Sequence, residues 1–532
     1  MTELAPAPAP AGSAYEQLSY PGYAYAATHP ARLEAVGRLL GLDPAPAATC
    51  RVLELGCGDG GNALSIAQSL PGAQVIGVDA AAAAVARGAE LARAAGLENV
   101  ELRVGDFESL SAEELDGVDY VVAHGVYSWI APAARVALLA CVRRCLAPEG
   151  IAFVSYNAYP GSYLRDMARD MLRYHLRDVE DPQARLAGAH ELMETIVAIE
   201  EPSPYARVLR EHLERMLRAG DALLFHDDLA EISTPFYLHE IVEHAAAHGL
   251  RFLAEAELAE SLMRDVPASA ERLMAGLPDD AVVREQYLDF FKNRMFRQTL
   301  LCHGEAPVRR GLADGVLERL WLSSAARAEE PASADSAEAS AAGEGETFST
   351  PDGFTMTTSE PLVLAAMHAL AEAWPAAVGF PDLLDRALDA AGRGAPRELV
   401  AARLRDVMLQ AHLARVVGLH GCPPPVAGGA VGGGVGAGKP PRGSGLEAST
   451  RSPVRPRASG LARAQLAAGA SVLSSLLHAN VRLDEPLDVA LLPLLDGTRD
   501  RAALCEAAPD GSAGDVDAAL GRLAALGLLH VP

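Results

Sequence analysis

RVLELGCGDGGN, residues 51–62, is an apolar run that carries Glu54 near its end and opens into a turn packed with glycine. Gly56, Gly58 and Gly60 lack a Cβ, so the backbone can turn sharply there and come close to a ligand. A strand-to-turn junction of this kind is built to hold a nucleotide-like cofactor. Two spacings overlap in it. Gly56, Gly58 and Gly61 satisfy the G-x-G-x-x-G pattern of dinucleotide sites, in which a pyrophosphate rests on a helix N-terminus. Gly56, Gly58 and Gly60 form a second, alternating set led by the carboxylate of Glu54. The turn alone leaves both open.

Outward from this junction, short apolar runs alternate with helical patterns at nearly even spacing, as parallel strands joined by crossover helices do. The pattern predicts strands over 51–55, 74–79, 100–104, 118–123 and 150–156, and helices over 61–70, 80–95 and 132–146, with a shorter turn near 110–116. The expected fold class is therefore α/β, a Rossmann-like doubly wound sheet whose ligand lies beyond the C-terminal strand ends. Glu54 and the glycines close the first strand. Asp79, in GVDAA, closes the second, where a carboxylate can accept from both ribose hydroxyls of a cofactor. Asp106 and Phe107, in GDFESL, follow the third; the first is placed to accept from an adenine amino group and the second to pack on the ring, although an Asp there can also simply cap a turn.

The acidic-x-Gly-x-Gly-x-Gly form, with Asp79 and Asp106 following in register, resembles motif I and the adenine-recognition motif of class I methyltransferases. The resemblance implies S-adenosylmethionine as cofactor, held by Glu54, Gly56, Gly58, Gly60, Asp79, Asp106 and Phe107. HGVYSWI (124–130) and SYNAYPGSYLRDMARDMLRYH (155–175) concentrate tyrosine at two adjacent strand ends in a chain with only 5% aromatic residues. They mark the acceptor pocket, with Tyr127, Trp129, Asn157 and Tyr159 shaping it and His124 as a candidate base. Core or turn packing is the ordinary alternative for each. Methyl transfer asks for an in-line approach to a sulfonium carbon, so positioning and exclusion of water are the protein's main contributions.

Longer segments carry a second resemblance. YEQLSYPGYAYAATHP (15–30), FHDDLAEISTPFYLHEIVEHAAAHGLRFLAEAEL (225–258), YLDFFKNRMFRQTLLCH (287–303) and EPLDVALLPLLDGTRDRAALC (485–505) are similar to bacterial methyltransferases with a methyltransferase regulatory domain. Characterised members of that family are rickettsial protein lysine methyltransferases acting on an outer-membrane protein. The resemblance implies a catalytic sheet domain followed by helical accessory domains, and a protein acceptor. A small-molecule O- or N-methyltransferase and a SAM-binding regulatory protein stay open as alternatives.

Composition divides the chain further. The Ala/Ser/Glu/Gly tract of 323–350 and the Gly/Pro-rich tract of 423–460 bury too little apolar surface to offset ordering entropy and read as linkers. The expected domains are 1–175 for the cofactor, 176–322 as a helical middle domain, and 351–422 and 461–532 as small helical modules of winged-helix-like outline. In the last of these, acidic residues outnumber the arginines, which favours docking of a protein over binding of DNA. A net charge of −25 likewise argues against a nucleic-acid partner. No leader pattern and no window of about 20 apolar residues is found, so neither secretion nor a membrane span is expected, and a cytoplasmic setting fits seven cysteines without paired spacing. No metal is expected: Cys141 and Cys145 lack a second pair, and HEIVEH (239–244) misses the i, i+4 histidine spacing by one residue.

Overall fold

β1 (Arg51–Leu55) lies inside a seven-stranded sheet ordered β3-β2-β1-β4-β5-β7-β6. The computed structural model describes residues 22–107, 110, 115, 117–199, 203–263, 266–309, 315–329, 345–392, 394–426, 455–508 and 513–530. After α1 (Pro30–Leu39) and β1 come α2 (Gly61–Ser69), β2 (Gln74–Asp79), α3 (Ala82–Ala95), β3 (Val100–Val104), β4 (Val118–Ala123), α4 (Pro132–Cys145) and β5 (Leu146–Asn157). β1 pairs in parallel with both β2 and β4, Leu53 facing Ile76 on one side and Val121 on the other. The switch point between β1 and β4 therefore opens beside the glycine turn. Most of the expected turn near 110–116 lies outside the described residues.

Side chains alternate across this sheet as a period of two requires. Tyr120, Val122, Ile151 and Phe153 face α1 and α2 in one core. Val121, Ala123, Ala152, Val154 and Tyr156 face α4 in the other. Each core takes its helices by their apolar stripe: Leu33, Val36, Ala63 and Ile66 on the first face, Leu138, Val142 and Cys145 on the second.

The sheet does not end at residue 175. A helical excursion, α5 (Ser162–His175), α6 (Pro182–Val197) and α7 (Pro204–Ala219), packs on its own core of Leu172, Leu186, Met193, Leu213 and Met216. The chain then returns through α8 (Leu238–Ala247), β6 (Leu250–Glu255), α9 (Ala268–Ala275), α10 (Ala281–Lys292) and β7 (Phe296–His303). β7 adds antiparallel to β5, Asn157 opposite Phe296, and β6 adds antiparallel to β7. The helical middle domain expected over 176–322 thus supplies two strands of the catalytic sheet. Leu250, Phe252, Leu300 and Leu301 are buried on it, and their apolar runs are short enough to be hidden between helical patterns.

β8 (Trp321–Ser323), β9 (Arg327–Ala328), β10 (Glu346–Ser349) and β11 (Thr355–Thr358) follow. The ends of the tract read as a 323–350 linker are therefore strands, β9 pairing with β10 and β10 with β11; residues 330–344 lie outside the described residues. α11 (Pro361–Ala373), β12 (Val378–Gly379), α12 (Phe380–Ala391), α13 (Arg397–Leu413) and β13 (Gly418–His420) complete a module in which β8 pairs with both β12 and β13. Its core includes Ala35 and Leu39 of α1, so it is built onto the sheet domain. Of the 423–460 tract, 427–454 lie outside the described residues. α14 (Gly460–Ala467), β14 (Leu473–Ser474), β15 (Asn480–Val481), α15 (Pro486–Leu491), α16 (Arg501–Ala507) and α17 (Ala513–Ala525) form the last module around Leu473, Leu491, Leu504 and Leu523. Among the described residues no helix is long and apolar enough to cross a membrane.

One buried charge cluster fastens the antiparallel edge. Arg297 of β7 is fully buried; its guanidinium donates twice to Asp289 at 2.9 Å and once to Glu285 at 2.9 Å, both on α10, and also to Glu255 of β6. Burial pushes the Glu255 and Asp289 carboxyls up, and the Arg297 charge opposes that shift. Removing the guanidinium leaves Glu255, Glu285 and Asp289 with one counter-charge fewer, Arg294 remaining beside Asp289 at 3.0 Å and Glu255 at 3.5 Å. Arg297→Met is therefore expected to lower the unfolding free energy by about 3–5 kcal/mol. The loss should be smaller near pH 5 than near pH 8, because Glu255 and Asp289, already pushed up by burial, can protonate at low pH. Urea unfolding at both pH values measures it; a loss that does not change with pH would mean that packing, and not charge, fastens this edge.

Candidate functional site

The strand-to-helix turn is held by main-chain bonds that only a strongly curved backbone can make. Gly56, Gly58 and Gly60 all have positive φ (74°, 57° and 78°), and the N–H groups of Gly56 and Cys57 both donate to the Val78 carbonyl of β2. Asp79 fixes the turn from the neighbouring strand: one carboxylate oxygen accepts from the Gly58 N–H and the other from the Ala81 N–H, each at 2.8 Å. A Cβ built on Gly58 meets nothing within 4 Å, whereas one on Gly56 would strike Val126 at 2.5 Å. The backbone at Gly58 thus borders open space.

Glu54 lies directly beneath. It is buried, accepts from Asn62 Nδ2 at 2.9 Å through Oε1, and its Oε2 has no hydrogen-bond partner among the described residues. Burial pushes this carboxyl up to about 8, against the lowering effect of the Asn62 bond. A buried carboxylate oxygen without a partner suits a cationic group brought by a ligand, and the open side of Gly58 gives that ligand room. The aminoacyl and ribosyl parts of S-adenosylmethionine match these two features. Asp106 is exposed beyond β3, and Phe107 packs partly on the sheet core.

The strand-end aromatics separate into different places. Tyr127 is a core residue, 1% exposed, its ring against Tyr156 and Phe236 and its hydroxyl 3.1 Å from His244 Nδ1. The turn after β4 directs its ring toward Phe236 and its hydroxyl toward His244 of α8. Trp129 is partly exposed beneath the Arg165 guanidinium, 6.0 Å away, which Asp228 anchors at 2.8 Å. Asn157 is buried at the end of β5, its N–H donating to Ser128 Oγ at 2.9 Å. Tyr159 stacks on Tyr163 at 4.1 Å, in a surface group with Tyr237. His124 bonds Ser155 Oγ at 3.1 Å and packs against Tyr25, Phe153 and Phe296; burial lowers it to about 4, so it is neutral near pH 7 and a weak proton acceptor.

Residues not singled out from the sequence complete the site. Asn62 was visible only as the residue after the glycines, yet it joins Glu54 to the N-terminal segment by accepting from the Tyr25 N–H at 2.9 Å. Tyr25 itself stands over His124, ring centres 3.8 Å apart. On the β7 side a cavity of about 450 Å³ is lined by Glu255, Glu257, Glu260, Arg294, Phe296, Gln298 and Arg415. It lies at the same sheet edge as His124, since Phe296 borders both. No local motif announces it: its lining comes from β6, β7 and the module that contributes Arg415. Cys141 and Cys145, 3.8 Å apart, are buried in the core, and His239 and His244 bond Gln286 and Tyr127. Among the described residues no group of three or more His, Cys, Asp or Glu could hold a metal ion.

Residues 52–150 match the model of a methyltransferase domain, 220–303 that of a predicted methyltransferase regulatory domain, and 455–510 that of a PKMT C-terminal winged helix domain. An uncharacterized protein of Rickettsia prowazekii (strain Madrid E) is 33% identical over 304 residues, 56% of this chain and 54% of that protein. A second uncharacterized protein of the same organism is 33% identical over 241 residues, 45% of this chain and 96% of its own length. The chain thus aligns with about half the length of the first relative and nearly all of the second. The structure of PKMT2 from Rickettsia typhi in complex with AdoHcy superposes with a TM-score of 0.78 at 24% identity, covering 96% of this chain and 99% of that one. The chain belongs to the class I methyltransferases that carry a methyltransferase regulatory domain.

Proposed function

We propose that the enzyme methylates lysine side chains of a protein acceptor. The observation that carries this reading is that the likeness to PKMT2 runs through 96% of the chain, accessory modules included, where a likeness of chemistry alone would need only the sheet. The donor, when bound, supplies a methyl group on a sulfonium sulfur to a lone pair that approaches it in line. Glu54 Oε2 would hold its ammonium group, Gly58 leaves room for it, and the Asp79 carboxylate, already rigid through Gly58 and Ala81, would have lone pairs left for ribose hydroxyls. Asp106 and Phe107, beyond β3, would border the adenine.

On the acceptor side, Asn157, Phe296 and the cavity beside them suit a long aliphatic stem: Phe296 offers an apolar face, while Glu257 and Glu260 are already paired with Arg32 and with Arg294 and Arg415. The lysine amine must be neutral to present a lone pair. Desolvation against Phe296 and His124 favours that form, and with His124 held near 4 the proton leaves to water and is not stored on the imidazole. His124 acts as a wall for Tyr25 and Phe296, and Trp129 and Tyr159 flank the entrance.

Incubating the purified chain with methyl-labelled donor and a cell lysate tests the acceptor class. Label in protein bands, released on hydrolysis as methylated lysine, is the expected result; label confined to the low-molecular-weight fraction would assign a metabolite acceptor instead. The donor site has a pH signature of its own. Glu54 must ionise to pair with the ammonium group, so S-adenosylhomocysteine should bind more tightly as pH rises from about 6 to about 8 and should release a proton on binding near pH 7. Glu54→Gln should bind about tenfold more weakly, without that proton release. Calorimetry in two buffers of different ionisation enthalpy reads both quantities, and proton release that persists in the variant would move the ammonium site elsewhere.

A further inference from the structure

The C-terminal module does not stand apart from the donor site. Its β15 begins with Asn480, whose side chain accepts from the Ala24 N–H at 3.0 Å and donates to the Ala24 carbonyl at 2.9 Å. The pair grips the segment 22–29 in the way a neighbouring strand would. Two residues earlier, His478 sits at φ 54° with its ring buried, Nδ1 bonded to Ser65 of α2 at 2.9 Å. Gln68 of α2 accepts from Ser459 Oγ at 2.5 Å and from the Leu461 N–H at 2.9 Å. Leu461 packs into Leu64 and Ala92. The module is therefore seated on the helix that follows the glycine turn, and from there it reaches the segment 22–29.

That segment crosses the crevice between β1 and β4. At one end Gly22 lies so close to the turn that a Cβ on Gly61 would meet its carbonyl carbon at 2.4 Å, and a Cβ on Gly22 would meet the Asp59 carboxylate. In the middle, Asn62 Oδ1 accepts from the Tyr25 N–H and from Thr28 Oγ1, while its amide holds Glu54. At the other end the Tyr25 ring covers His124. One face of the segment thus bonds the residues beneath the donor, and the other bonds Asn480.

We propose that Asn480 is a positioning residue of the donor site: by holding Ala24 it fixes the Tyr25 segment as a wall over the crevice between the glycine turn and His124. This rests on the donor lying beside Gly58 and Glu54. It gives the C-terminal module a part in binding the donor, where composition suggested a docking element on a flexible tether. A fixed wall excludes water and lowers the ordering cost of binding.

Titration of the full-length chain with S-adenosylhomocysteine tests it. Asn480→Ala should weaken binding about tenfold, and Asn480→Asp, which keeps the acceptor for the Ala24 N–H but turns a carboxylate oxygen onto the Ala24 carbonyl, should weaken it at least as much. Tyr25→Ala should weaken binding as well. Adding Asn480→Ala to Tyr25→Ala should then cost little more, because Asn480 acts through that segment. A module that is merely loosened would give losses that multiply. Unchanged affinity in Asn480→Ala, or multiplied losses in the double variant, overturns the proposal; should Asn480→Ala fail to fold, Asn480→Asp alone and combined with Tyr25→Ala answers the same question. Absence of binding by the unaltered chain would overturn the donor site itself, and the proposal with it.

Discussion

The chain must leave β1 and enter α2 through a backbone that only glycine adopts easily, and this tight reversal sets the rest of the site. It brings the Gly58 N–H onto Asp79, lays Gly58 against open space, and places Asn62 at the start of α2 above Glu54. Because Glu54 is buried with one oxygen unpaired among the described residues, burial keeps its carboxyl raised to about 8. Burying such a group is unfavourable unless something later pairs with it. In the proposed reading, the donor's ammonium is that partner.

Around that junction the protein builds two walls by different means. On the β7 side the wall is electrostatic: the Arg297 cluster ties β6, β7 and α10 together and so fixes Phe296 against His124. On the α2 side it is a run of neutral hydrogen bonds from Asn62 through the Tyr25 segment to Asn480. The first resists displacement because its charges cannot be left unpaired in the interior. The second exchanges more easily with water, and a single substitution in it costs less than the loss of Arg297.

How much of this was legible in the sequence follows from the range of the interactions. Strands 51–55, 74–79, 100–104 and 118–123 and the glycine turn are local patterns, and they coincide with β1 to β4. The fifth strand is longer than read: Leu146 pairs with Val118 of β4, and the register shifts before Ile151 pairs with Tyr120. β6 and β7 were hidden among helices, since an antiparallel strand added to a sheet edge leaves no crossover rhythm to detect. Tyr127 could not be told from a pocket residue, for its burial is decided by Phe236 and His244, more than a hundred residues away. The contact between Asn480 and Ala24 spans almost the whole chain and has no signature in composition. The Gly/Pro tract before the last module suggested independence, yet the module's partners are Ser65, Gln68 and Ala24.

The central claim is that one donor site is shared by the glycine turn, Glu54 and the Tyr25 segment. A crystal structure of the full chain grown with S-adenosylhomocysteine measures this most directly. The account predicts the ligand beside Gly58, its ammonium within hydrogen-bonding distance of Glu54 Oε2, and Tyr25 still on His124 with Asn480 holding Ala24. A ligand bound away from Glu54, or at Glu54 with the 22–29 segment displaced from the crevice, would contradict it.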